Sequence, residues 1–214
     1  MIKNIIFDFD GVICESVDIK TDAFYEMYIP YGEEVALKVK EHHIANGGMS
    51  RYDKFRHYEK VFLDKILTDE KMENLSLTFS RHVKKKVISA PFVKGALAFL
   101  KEHSQTYKCF IVSATPMDEI KEIVKEKNIE QYFQEVFGSP QNKTVWGKYI
   151  LDTYKLQEKE TLFIGDAMSD YNAATKNNMH FLLREIKNNQ MIFINPPKSI
   201  QDLIDLNHHI KMMD

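Results

Sequence analysis

An unbroken apolar run, Ile5-Ile6-Phe7, stops on an acid, Asp8, and a turn glycine, Gly11, follows. Three consecutive β-favouring side chains leave a strand with no polar face, so such a strand is covered on both sides. Parallel sheets sandwiched between helices are the common way to cover it. The construction recurs. Residues 108–114 hold Phe110, Ile111 and Val112, and residues 161–165 hold Leu162, Phe163 and Ile164. Shorter strands are expected at 135–137 and 180–183, with a further one at the edge over 192–194. Helical patterns lie between them. Ile120, Ile123 and Val124 share a face after Pro116, which suits a first helical turn. Trp146, Ile150 and Tyr154 recur at four-residue spacing, and Leu97 and Leu100 follow Gly95. Strand and helix alternating from residue 92 onward predicts an α/β fold, a parallel sheet with crossover helices.

The stretch from Ser16 to Val87 breaks that rhythm. It offers no convincing strand and several helical patterns, among them Val35 with Val39, and Phe55 with Tyr58 and Phe62. It is read as a helical insertion on the exit loop of the first strand, with Gly47-Gly48 as a sharp turn between two helices. The expected division is a core built from residues 1–15 and 88–214 and a small second domain over 16–87. A chain of 214 residues is long enough for one sizeable domain with such an insertion. The end of the chain, 207–214, is polar and Met-rich and is expected to fray.

Charge narrows the function classes. Lys and Arg nearly balance Asp and Glu, for a formal net charge of -2, which gives no broad surface for nucleic acid. No apolar run is long enough to span a bilayer, and the N-terminus reaches Asp8 too soon for a signal sequence. Cys14 and Cys109 sit in or beside apolar runs without zinc spacing, so they read as free buried thiols in a reducing compartment. A cytoplasmic protein is expected.

The chemistry concentrates at strand ends. In Phe7-Asp8-Phe9-Asp10-Gly11-Val12, two carboxylates lie two residues apart where a strand gives way to a loop. A second pair, Asp166 and Asp170, follows the strand that ends at Gly165. In open parallel sheets the carboxyl edge is where ligands bind. Four carboxylates there form an oxygen-rich site suited to a hard cation such as Mg²⁺. Ser113 closes another strand, followed by Ala114, and Lys143 opens the helix that carries Trp146. A hydroxyl and an ammonium beside clustered carboxylates are suited to binding a phosphoryl group.

These residues together resemble the haloacid dehalogenase superfamily, in its branch similar to phosphoglycolate phosphatase and β-phosphoglucomutase. Asp8-x-Asp10-Gly11-Val12 matches the first family motif, Ser113 the second, Lys143 the third, and Asp166 with Asp170 the fourth. The order and spacing match along nearly the whole chain, and the helical insertion matches the family's cap. The resemblance implies a Rossmann-like, doubly wound core and a phosphatase that hydrolyses a small phosphorylated metabolite. It casts Asp8 as nucleophile and Asp10 as general acid and base. Mg²⁺ would be held by the Asp8 carboxylate, the Asp10 backbone carbonyl and Asp166, with Asp170 supporting directly or through water. Ser113, Ala114 and Lys143 would bind the phosphoryl oxygens. A mutase that isomerises a phosphosugar is the alternative, and a non-catalytic phosphate-sensing module is a more distant one. The chain departs from many relatives at Glu15, where they carry Asp, and Lys148 rivals Lys143.

Several features have plainer readings. His42-His43 and His208-His209 point to different sides of a helix, which suits packing or solvation better than a metal. The ten Met residues read as core filler. In Ser50-Arg51-Tyr52-Asp53-Lys54, Ser50 is suited to cap a helix. Arg51 and Lys54 are candidate contacts to an anionic or hydroxylated leaving group; for Arg51 this is evenly balanced against a solvated helix residue, and Lys54 is expected to be exposed.

Overall fold

The computed structural model describes residues 1–187 and 189–213. Its sheet contains, in chain order, β1 (Asn4–Phe7), β2 (Lys108–Pro116), β3 (Glu135–Ser139), β4 (Thr161–Gly165), β5 (His180–Arg184) and β6 (Ser199–Ile200). All neighbouring pairs are parallel, in the spatial order β3-β2-β1-β4-β5-β6. β1 is thus central, with Ile5 level with Cys109 on one side and Leu162 on the other. All four β1 residues are buried.

Alternation along β1 divides the core into two layers. Ile6 packs with Phe110, Val112, Phe163 and Ile150 on one face. Ile5 and Phe7 pack on the other with Ile111, Leu162 and Leu100. There Phe7 meets Phe99 edge-on at 6.2 Å and Phe133 at 6.4 Å. A fully buried Phe contributes about 1.5–3 kcal/mol by transfer alone, so these rings anchor the strand whose end carries Asp8. The helices on this sheet are α5 (Ala96–His103), α6 (Met117–Glu126), α7 (Lys143–Thr153), α8 (Met168–Lys176) and α9 (Leu206–Lys211).

Between β1 and β2 the chain first runs through α1 (Val17–Tyr28), α2 (Glu33–Ala45), α3 (Arg51–His57) and α4 (Asp69–Ser89). Gly47 and Gly48 lie in the turn that joins α2 to α3. Ser50 caps α3, its hydroxyl accepting from the Asp53 N–H. Aromatic packing gathers these helices. The Phe24 ring lies 4.2 Å from Phe79, 4.9 Å from His43 and 5.6 Å from Phe55, centre to centre. The chain enters and leaves this insertion through two segments that run side by side, joined by an antiparallel bridge between Cys14 and Phe92. The Glu15 N–H donates to Pro91 O, and the Val93 N–H donates to Ile13 O, both at 3.0 Å. Cys14, buried between them, lies close to the carbonyls of Val87 and Ala90.

Three expectations need correction. The edge strand is Ser199–Ile200 rather than 192–194, where Ile194 is 99% exposed. Pro196 and Pro197 follow at once and bring no N–H to a ladder, so pairing starts only beyond them. Residues 207–213 do not fray away from the fold. Leu206 and Ile210, one helical turn apart, bury α9 against the core. Pro116 closes β2 and precedes α6 instead of occupying its first turn. Among the described residues, no helix is long and apolar enough to cross a membrane.

Candidate active site

Asp8 follows directly on the central strand. Its N–H donates to Ile164 O of β4 at 2.9 Å, so the ladder carries it to the carboxyl edge. The chain then turns sharply at Gly11, whose φ is +79°. A Cβ at that position would fall 2.7 Å from Asp166 Oδ2, so only glycine lets the two acidic loops approach. Asp166 itself follows the end of β4, the neighbouring strand. Ligand oxygens of Asp8, Asp166 and Asp170 all lie within 4.8 Å of one another.

Lys143, in the first turn of α7, faces this cluster. Its Nζ donates to Asp170 Oδ1 at 2.6 Å and lies 2.9 Å from Asp8 Oδ2. Asn142 caps the helix from the preceding position, accepting from the Val145 N–H. Asp170 is wholly buried, and its Oδ2 accepts from the Ala167 N–H at 3.1 Å. Both its oxygens are therefore engaged, one in orienting Lys143 and one in closing the first turn of α8. Lys148 is turned away; its side chain is 66% exposed and pairs with Asp152.

Electrostatics separate the two acids of the first motif. Burial pushes Asp8 up to about 7; Lys143 opposes this, and Asp170 and Asp10 add to it. Asp166 is raised well above the carboxylate range by burial and by Asp8 and Asp170. Lys143 is held above its ordinary value, because Asp170 and Asp8 outweigh its burial. Asp10 goes the other way. Burial would raise it, yet Lys20 and Ser16 hold it below the usual range. Its Oδ2 accepts from Lys20 Nζ at 2.5 Å and its Oδ1 from Ser16 Oγ at 2.6 Å. Thr115 completes this group, donating to Asp10 and accepting from Lys20.

Ser113 does not close β2, which runs on to Pro116; it is buried where the strand's register shifts, and its Oγ accepts from the Thr115 N–H at 3.1 Å. It lines a second pocket with Lys143, on the far side of Ala114, which borders both pockets. The first pocket is the one lined by Asp8, Asp10 and Asp166, and Arg51 also lines it but is not free. It pairs with Glu119 of α6 through two nitrogens, at 2.6 and 2.9 Å, and also donates to Ser80 Oγ. Glu15 forms an ion pair with Arg184 of β5.

Lys54 overturns the expectation of an exposed residue. It is 1% exposed, within α3, and lines the same pocket as Asp8 and Asp10. Its Nζ lies 2.8 Å from His43 Nδ1. Sequence reasoning weighed this lysine as a substrate contact and favoured an exposed one, and it missed Lys20, Ser16 and Thr115. The signal for Lys20 was its place in the first turn of a helix that begins directly after the acidic loop. Thr115 stands two residues beyond Ser113, in the stretch where the strand's register shifts, and the two line different pockets.

Fold and site together define a hydrolase class, and comparison with known proteins places the chain in it. The sequence pattern of the haloacid dehalogenase-like hydrolases matches residues 5–183, and the chain belongs to that family. It is 25% identical over 185 residues to a phosphoglycolate phosphatase of Pasteurella multocida, covering 80% of each chain. Its fold is similar to that of a β-phosphoglucomutase of Clostridium difficile. The TM-score is 0.80 at 17% identity, covering 100% of this chain and 97% of the other. It is also similar to a magnesium-bound hydrolase of Bacillus subtilis, YfnB, with a TM-score of 0.72 at 15% identity, covering 98% and 99%.

Proposed function

We propose that the chain is a Mg²⁺-dependent phosphatase. It would hydrolyse a small phosphate monoester, a sugar phosphate or a phosphorylated hydroxy acid, through an aspartyl-phosphate on Asp8. The observation that carries this reading is the convergence of Asp8, Asp166 and Asp170 within 4.8 Å, with Lys143 beside them. The phosphatases among its relatives support the reaction class.

The donor set fits a hard divalent cation. Burial first, and then neighbouring carboxylates, raise Asp8 and Asp166, and a cation between them would offset both costs. The Asp8 and Asp166 carboxylates and the Asp10 carbonyl would hold it. When bound, Mg²⁺ offsets phosphate charge and polarises a phosphoryl oxygen. Lys143 adds a second positive charge at the same place, while Ser113 and the backbone at Ala114 bind phosphoryl oxygens. Asp8 attacks phosphorus in line with the departing oxygen. The phosphate's own charge opposes the lowering of Asp10, which takes up a proton from solvent as the substrate binds and passes it to the leaving alkoxide. It then draws a proton from the water that cleaves the aspartyl-phosphate. The helical insertion over residues 16–87 would act as a cap, leaving this water and excluding bulk solvent.

Phosphate release from a panel of phosphorylated metabolites, with Mg²⁺ and then with excess chelator, tests the proposal. Turnover should require the cation and should vanish in Asp8→Asn. Chelator-resistant turnover, or an active Asp8→Asn, would sink it. Isomerisation of a hexose phosphate without phosphate release would favour the mutase reading instead.

A further inference from the structure

Like charges repel, and the carboxylates of Asp8, Asp166 and Asp170 lie within 4.8 Å of one another. Such a cluster keeps its shape only if its loops are held from outside. Asp8 follows directly on the central strand and is fixed by the ladder, and Asp170 is fixed by Lys143 and by the Ala167 N–H. Asp166 lies between β4 and α8 and belongs to neither.

Its tie comes from Asn189, beyond the end of β5. Asn189 Nδ2 donates to Asp166 O at 2.6 Å and to the carbonyl of Arg184, the last residue of β5, at 2.9 Å. Its Oδ1 accepts from the Ile186 N–H at 2.9 Å, and its own N–H donates to Ile186 O at 2.8 Å. A side-chain amide offers two N–H donors and one carbonyl. Here both donors meet carbonyls and the carbonyl meets a donor. A carboxylate of the same size would turn two of these bonds into contacts between oxygens.

Asn189 is anchored to the sheet on one side, because Arg184 is level with Ile200 of β6 and the Glu185 N–H donates to Ile200 O. The same amide holds Ile186, whose Cδ1 would lie 2.5 Å from a Cβ at Gly11, in the turn after Asp10. It therefore braces both acidic loops. The loop after β4 is held by a hydrogen bond, and the turn after β1 is backed by the Ile186 side chain.

We infer that Asn189 is a positioning residue for the cation site, holding the Asp166 loop close enough to Asp8 for one cation to meet both carboxylates. The inference rests on the proposed Mg²⁺ reading and extends it to a residue outside the reacting groups. Without the amide, repulsion among the acids lets the Asp166 loop draw back, and a cation must pull it in again on binding. The loss falls on Mg²⁺ affinity.

The test measures Mg²⁺ binding by calorimetry, and melting temperature with and without the cation, in the wild type, Asn189→Asp and Asn189→Ala. Partners that orient metal ligands typically contribute about ten- to a hundredfold in metal affinity, so both variants should bind Mg²⁺ that much more weakly. Asn189→Asp is the sharper of the two. It is nearly isosteric, and its charge alone would draw Mg²⁺ more strongly, so weaker binding in it reports the lost donors. Asn189→Ala gives the same reading should the Asp variant fail to fold. Melting temperatures of the variants should fall more in Mg²⁺ than without it, and raised Mg²⁺ should restore much of the turnover they lose. An unchanged Mg²⁺ Kd, with melting temperatures lowered equally in the two conditions, would give the amide a structural role alone and overturn the inference while the phosphatase reading stands. A wild type that binds no Mg²⁺ overturns the inference and the metal reading together. Asn189-dependent Mg²⁺ binding without turnover of any phosphate ester upholds the inference while the phosphatase reading falls.

Discussion

The carboxyl edge of the sheet and the helical insertion border one pocket, but they handle charge in different ways. At the edge three of the four acids have an opposite charge at ion-pair distance, and Asp166 stands beside them. Asp8 and Asp170 share Lys143, and Asp10 has Lys20, itself from the insertion's first helix. The insertion contributes two further cations of contrasting kinds. Arg51 is spent on Glu119 of α6, whereas Lys54 has neutral partners. The edge is assembled in advance for its reaction, as electrostatic preorganisation requires. On the insertion side, one cation ties the two regions together, and the other lines the pocket between them.

The sharpest way to break this comparison is at the edge. Asp8→Asn should lower turnover by about 10⁴–10⁶-fold, the scale seen when a nucleophile is removed. Mg²⁺ should raise the melting temperature of the wild type by several degrees, since saturation at about 100 Kd is worth about 2.7 kcal/mol. Asp166→Asn should lose that shift, as measured by thermal scans with and without the cation. Next comes Asp10→Asn, which should lose about 10²–10⁴-fold in turnover. It should keep the Mg²⁺ shift, because its expected metal contact is a backbone carbonyl. Loss of both together would merge two roles that the edge keeps apart.

The tie between the regions is tested through stability. Glu119→Gln strands the Arg51 charge in a buried place and should cost about 3–5 kcal/mol in denaturant unfolding. Arg51→Met with Glu119→Gln should recover much of that loss, since no charge then lacks its partner. A negligible effect of Glu119→Gln would show that the pair is solvated and ties nothing. The smallest expected effect lies at Gly48. A Cβ there would fall 1.8 Å from Ser169 Oγ, at the contact of the insertion's turn with the first turn of α8. Gly48→Ala should disfavour that approach by about 1–3 kcal/mol, read as a rise in KM larger than the fall in kcat. An unchanged KM would mean that substrate binds without this contact.

The edge was legible in the sequence because its information is local. Ile5-Ile6-Phe7 followed by Asp8 announces both a strand and what its end presents, and the run before Asp166 does the same. The structure places Asp8, Asp10, Asp166, Asp170, Lys143 and Ser113 at that edge, together with Lys20, which motif spacing gave no reason to include. The insertion was legible only as helices. Lys54 sits in a basic helix start that reads as solvated, and its burial depends on His43 and Phe24, which reach it through packing. Arg51 was a candidate for substrate, and nothing near it in the chain points to Glu119, which arrives from α6. The strand misread at 192–194 shows the same limit, since Ile192 and Ile194 look β-favouring until Pro196 and Pro197 are weighed beside them.

The side-by-side lacing of Ile13–Glu15 with Pro91–Val93 has a consequence for how such a chain changes over generations. The stretch between them begins and ends at neighbouring points, so its length is almost invisible to the sheet, and its content is felt there chiefly through Ser16, Lys20 and Arg51. Loop-closure cost grows only with the logarithm of length, about 0.6 kcal/mol per doubling. Helices can therefore be added, trimmed or exchanged between Glu15 and Pro91 while Asp8 stays where β1 puts it. A lineage can change what it recognises by rewriting one uninterrupted stretch of its gene and leave the reacting groups on either side untouched.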